Sequence, residues 1–123
     1  MRLLLDTHTF LWWRANDRRL PRRAREAIAN ADVVFVSAAT AWEAAIKAAL
    51  GRLRYPDTIE KGVEASGFEK LPISLEHAER AARLPQHHHD PFDRMLVAQA
   101  RAEALTLVTD DTRIAQYEVA VLW

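Results

Sequence analysis

The chain of 123 residues contains no cysteine. That absence excludes disulfides, thiolate metal sites and cysteine nucleophiles together, and it suits a reducing compartment. Neither sign of charge is in excess, since 17 Lys and Arg balance 17 Asp and Glu, so no global field marks a nucleic-acid binder. No uninterrupted apolar run approaches the ~18 residues of a membrane span, and the opening MRLLLD reaches an acid at position 6. We therefore expect no membrane span, no signal peptide and a cytoplasmic location. There is no internal repeat, and the one biased stretch is His87, His88 and His89.

Half of the chain is apolar, which is enough for one core, and the length allows one domain, residues 1–123. Short apolar runs alternate with helical patterns. Arg2 to Leu5 reads as a fully buried strand ending at Asp6, followed by a helix over Thr7 to Arg14 and another opened by Pro21. Val33 to Val36 is β-branched and apolar throughout, and it stops at Ser37, a residue suited to capping the helix Ala38 to Leu50, which Gly51 closes. A weaker helix over Thr58 to Ser66, a short edge strand within Phe68 to Ile73 and a helix from the Ser74 cap to Leu84 come next. Strands over Leu105 to Thr109 and Val119 to Leu122 flank a short helix around Ile114. The alternation predicts an α/β domain with a central parallel sheet flanked by helices.

The segment HHHDPFDRMLVAQA, His87 to Ala100, combines a strong helix start with a carboxylate that the start does not require. Asp90 reads as the N-cap and Pro91 as the first helical residue. Asp93 at the third helical position can answer the orphan amides and the positive end of the helix dipole, but a single cap would have sufficed. In open α/β sheets ligands bind beyond the carboxyl ends of the strands, and by that rule Asp6, Glu43, Asp93 and Asp111 are candidates to share one pocket. Each also has an ordinary reading: Asp6 and Asp93 as caps, Glu43 as the partner of Lys47 at i,i+4, Asp110 and Asp111 as turn residues. Four carboxylates that close repel unless a cation neutralises them. An all-oxygen donor set favours Mg²⁺ or Mn²⁺ over Zn²⁺, and such an ion activates water against a phosphodiester.

As a set, LLLDTHTFLWW, VSAATAWEAAIKAALGRL, HHHDPFDRMLVAQA and LTLVTDDTRIAQYEVAVLW resemble the PIN-domain ribonucleases, and within them the VapC toxins of type II toxin–antitoxin pairs. The resemblance covers nearly the full length. It implies a Rossmann-like sheet, a Mg²⁺- or Mn²⁺-dependent endoribonuclease acting on an RNA substrate, a cognate VapB-like antitoxin, and a homodimer. Carried over by motif, Asp6, Glu43 and Asp93 match the first three metal-binding acids, and Asp111 matches the fourth position, where the family also accepts Asn. Thr7 and Ser37 match supporting hydroxyls near that rim. Asp90 recurs in the DPFDR form of the motif, where helix capping explains it, and Arg94 either holds a phosphate or orients Asp90.

Adjacent histidines in a loop point in different directions and make a poor chelate, so His87, His88 and His89 read as solvated loop, with RNA contact by one of them as the other option. Trp12, Trp13 and Trp42 read as core or interface more readily than as base-stacking platforms, and an exposed apolar patch for a dimer mate or antitoxin is expected. Arg14, Arg18, Arg19, Arg22, Arg23 and Arg25 crowd one segment, read as a solvated helix face or a phosphate-contacting patch. Haloacid-dehalogenase phosphatases want a second Asp two residues after the first, a position held here by His8. Receiver domains want an acid pair beside the first strand and a Lys after the last, and Leu5 and Trp123 do not supply them. A PIN fold that grips RNA or protein without cutting is the alternative kept open.

Overall fold

β1 (Arg2–Leu5) is the axis of the fold in the computed structural model, which describes all of residues 1–123. Leu3, Leu4 and Leu5 are fully buried. Leu3 and Leu5 join one hydrophobic cluster and Leu4 the other, as the two-residue period of a strand requires. β2 (Val33–Ser37) and β4 (Thr106–Val108) flank it in parallel, with Leu5 opposite Val36 on one side and Val108 on the other. β3 (Glu69–Leu71) and β5 (Val121–Leu122) complete a five-stranded sheet of order β3-β2-β1-β4-β5, every pairing parallel.

Six helices cover both faces. α1 (Thr7–Ala15) and α2 (Arg22–Asn30) connect β1 to β2, while α3 (Ala38–Ala49) and α4 (Ile59–Ala65) connect β2 to β3. Phe10, Ala24, Ile28, Ala44, Ile59 and Val63 from these helices pack on Leu3, Leu5, Val34 and Val36. α5 (Leu75–Arg83) and α6 (Pro91–Glu103) connect β3 to β4 and cover the other face, where Ala81, Leu84, Leu96, Val97 and Ala100 pack against Leu4 and Leu107. A single turn of 3₁₀ helix, Ile114–Gln116, leads to β5. The predicted alternation is the observed one. Differences lie at element ends: Pro21 stands at the N-cap of α2 instead of its first helical position, and β4 and β5 are shorter than the apolar runs that predicted them.

β1, β2 and β3 advance in one direction across the sheet and β4 and β5 in the other, so the order reverses between β1 and β4. The crevice of such a fold opens at the carboxyl ends of those two strands. No helix is long and apolar enough to cross a membrane.

Candidate metal centre

Asp6, the residue after β1, lies at that crevice. It is buried, and its Oδ1 accepts the Thr9 N–H at 2.9 Å as the N-cap of α1. Burial pushes its carboxyl up, and hydrogen bonds from Thr109 and Thr9 offset this only in part. Glu43 reaches the same crevice from the second turn of α3 and is also buried. Both of its oxygens are engaged: Oε1 accepts the Thr7 hydroxyl at 2.6 Å, and Oε2 accepts the Lys47 ammonium at 2.7 Å.

α6 contributes Asp93. Asp90 caps the helix by accepting the N–H groups of Phe92 and Asp93, and Pro91 is the first helical residue, as predicted. With its amide already capped, the Asp93 side chain is free to turn into the crevice. Its carboxyl is pushed up to about 7, first by burial, then by the charges of Asp90 and Asp6, against the opposing influence of His88. Asp111 comes from the loop after β4. Burial raises its carboxyl, but the Arg113 amide and side chain, with His88, outweigh this and leave it below the usual range. The Thr109 hydroxyl fixes the loop by accepting the Asp111 N–H at 3.1 Å.

The predicted acids Asp6, Glu43, Asp93 and Asp111 thus line one cavity of about 200 Å³ that contains no apolar residue, together with Thr7 and Asp90. Asp110, His8, Lys47 and Arg113 complete its wall. Six carboxylates there face only two permanent cations, Lys47 and Arg113. The ordinary roles hold as well. Asp6 caps α1, Glu43 pairs with Lys47, and Asp111 accepts a turn amide, so the structural and the shared readings are realised in the same side chains.

Three expectations are corrected. His88 is not solvated loop: it is 4% exposed, and its Nε2 lies 2.8 Å from Asp93 and 3.3 Å from Asp111. That nitrogen and one oxygen of each acid fall within 4.8 Å of one another. Only His87 and His89 are exposed, and His87 stacks edge-on against Tyr117. The Arg94 side chain neither lines the cavity nor bonds Asp90. Its guanidinium donates to the carbonyls of Ala81, Leu84 and Pro85 and to the Tyr117 hydroxyl, because α6 turns this residue toward the end of α5. Ser37 caps α3, but its hydroxyl donates to Gln99 at 2.5 Å and does not line the acid cavity. Gln99 in turn donates to the Pro72 carbonyl and contacts His77, in a buried polar network on the α5–α6 side.

Sequence reasoning missed His88, Arg113 and Tyr117. Nothing in three identical adjacent residues marks the middle one. Arg113, two residues beyond Asp111, was open to detection as a turn partner.

The donors suit a hard divalent cation: several carboxylates from separate elements, no thiolate, and one acid, Asp93, whose carboxyl is raised by burial and then by the charges of Asp90 and Asp6. The sequence matches the PIN domain family over residues 3–120. It is 31% identical over 118 residues to Ribonuclease VapC22 of Mycobacterium tuberculosis, covering 94% of this chain and 91% of that protein. In fold it is similar to VapBC2 from Rickettsia felis, solved bound to a promoter DNA fragment, with TM-score 0.71, 14% identity, and 99% and 98% of the two chains covered. FitAcB from Neisseria gonorrhoeae gives TM-score 0.70 and 21% identity over 98% and 96% of the chains.

Proposed function

The chain belongs to the PIN-domain family, and from that premise we propose that it is a Mg²⁺- or Mn²⁺-dependent endoribonuclease, the toxin of a VapBC-type pair, acting in the cytoplasm. The observation that carries this reading is the convergence of Asp6, Glu43, Asp93 and Asp111 from four separate segments on one cavity at the strand-order switch. These four would hold the cation. When bound, that ion supplies a Lewis acid that activates water and steadies charge on the phosphoryl group.

The chain's own residues do the rest. The Thr7 hydroxyl fixes the orientation of Glu43, and the Asp90 cap sets the start of α6 and hence the position of Asp93. Lys47 and Arg113 on the cavity wall offer positive charge to an approaching RNA phosphate.

The VapBC relatives were solved as toxin–antitoxin complexes, and a VapB-like antitoxin is the partner proposed here. A groove of about 380 Å³ bounded by Trp12, Leu53, Tyr55 and Ile59 supports that reading with apolar surface. A homodimer is supported by the exposed Trp42 and Ile46 of α3 and Leu50 at its C-cap, spaced four residues apart.

Cleavage of total RNA by purified, antitoxin-free protein tests the function, with Mg²⁺, Mn²⁺ or EDTA and with Asp93→Asn beside the wild type. Discrete products with 5′-phosphate ends that require both the metal and Asp93 are expected. Wild-type rates in EDTA, or from Asp93→Asn, would refute the assignment.

A further inference from the structure

His88 occupies a position that the four acids do not explain. Its flanking residues are exposed, yet its own ring is buried at the meeting point of α6 and the loop after β4. Its backbone N–H donates to the Tyr117 hydroxyl at 3.0 Å. Its Nδ1 accepts the Asp90 N–H at 3.3 Å, which commits that lone pair and leaves Nε2 as the donor nitrogen. The Nε2–H then points between Asp93 Oδ2 at 2.8 Å and Asp111 Oδ2 at 3.3 Å. One donor is shared by two carboxylates that arrive from different elements.

The frame behind this ring is rigid. Tyr117 is 5% exposed, and its hydroxyl oxygen also receives Arg94 Nη1 at 3.2 Å. Arg94 pins the surrounding loop through the carbonyls of Leu84 and Pro85. His88 is therefore anchored independently of the two carboxylates that it meets.

We propose that His88 is a positioning residue of the cation site: its Nε2–H sets the separation and orientation of the Asp93 and Asp111 carboxylates and does not itself ligate the ion. The inference rests on the cation-site reading given above. A ligating Nε2 would need its lone pair free, and the proton moved to Nδ1 would oppose the Asp90 N–H. Hydrogen-bonded partners of metal ligands are worth roughly 10- to 100-fold in metal affinity.

Two measurements on the full chain test this. Ring-nitrogen NMR of the wild type, without and with saturating Mg²⁺, should show the His88 Nε2–H tautomer in both states. Loss of the Nε2 proton on Mg²⁺ binding would make His88 a ligand and overturn the proposal. Calorimetric titration with Mn²⁺ should show His88→Ala binding roughly 10- to 100-fold more weakly, with His88→Gln recovering most of the loss, since its amide nitrogen can sit near the Nε2 position. Wild-type affinity in His88→Ala, or a His88→Gln as weak as His88→Ala, would reduce His88 to a structural residue. Thermal unfolding in EDTA checks that both variants fold, and the NMR test requires no variant. A wild type that binds neither ion would remove the cation reading itself, an outcome distinct from equal binding by wild type and variant.

Discussion

Asp93→Asn separates charge from shape, and its effect on the metal-free fold can be worked out. The Asp93 carboxyl lies at about 7, against an ordinary 3.8. A difference of about three units, at about 1.4 kcal/mol each, sets a ceiling near 4 kcal/mol for the penalty of carrying this charge in the fold. The carboxylate at the start of α6 gains about 0.3 to 1 kcal/mol from the helix dipole, which Asn forfeits. Its amide oxygen can still accept from His88. The charge effect is the larger, so the metal-free variant should be more stable than wild type at about pH 8, by roughly 1 to 3 kcal/mol. The sign with pH follows from linkage. Below about pH 4 the group is protonated in folded and unfolded chains alike and contributes no difference; between about 4 and 7 the folded state keeps a proton that the unfolded state has released, so wild-type stability falls as pH rises; above about 7 the full penalty is present. Thermal unfolding in EDTA from about pH 4.5 to 8.5 should show the variant's advantage growing from near zero to a plateau, at roughly 3 to 4 °C per kcal/mol. Mg²⁺ should reverse the order, because only the wild type gains stability from the bound ion. A gap of constant size at every pH, or a variant less stable than wild type at pH 8 in EDTA, would refute the reasoning.

Lys47→Met leaves the buried Glu43 with Thr7 alone. It should cost about 1 to 2 kcal/mol in EDTA, less than a fully buried pair because the Lys47 side chain is 39% exposed, and Mg²⁺ should restore the loss of melting temperature. Ser37→Ala removes the α3 cap and orphans the Gln99 carbonyl oxygen, so about 1 to 3 kcal/mol should be lost in denaturant unfolding while Mn²⁺ affinity stays unchanged; a weakened Mn²⁺ affinity would return Ser37 to the site. Arg94→Ala should cost roughly 2 to 4 kcal/mol, through several charge-assisted bonds lost at once, and should speed proteolysis within residues 84–90. Trp42→Glu places charge on a residue that is 63% exposed and should dissociate the proposed homodimer in sedimentation analysis, at a cost to the monomer of about 0.5 to 1.5 kcal/mol from the lost edge-on contact with Phe92.

The fold was most legible at β1 and β2, which are short, apolar and bounded by a residue with a second duty. Leu3, Leu4 and Leu5 ending in Asp6, and Val33 to Val36 ending in Ser37, announce both a buried parallel strand and the cap of the helix after it. The acids were legible only as candidates. Asp6, Glu43 and Asp111 each satisfy a local partner within a few residues, and a local partner is all that sequence spacing can show. Their convergence depends on strand order, which is a tertiary fact. Arg94 was misplaced because most of its partners are backbone carbonyls, up to 13 residues away, and carbonyls leave no trace in a side-chain pattern. His88 was lost for the complementary reason: its burial is set by Tyr117, 29 residues further on.

Both hydrophobic clusters close without any of the four acids, so the core does not require them where they are. What keeps them together in the metal-free chain is a set of internal substitutes for a cation. Lys47 holds Glu43, Arg113 holds Asp111, and the His88 N–H bridges Asp111 to Asp93. Asp93 has the poorest compensation of those three, since it shares one ring donor with Asp111 where the others have a Lys or an Arg of their own, and burial with the charges of Asp90 and Asp6 drives its carboxyl up to about 7. Asp93 should therefore govern how proton uptake competes with cation binding: as pH falls below about 7 a proton occupies the place that the cation needs, and divalent affinity should weaken across that range.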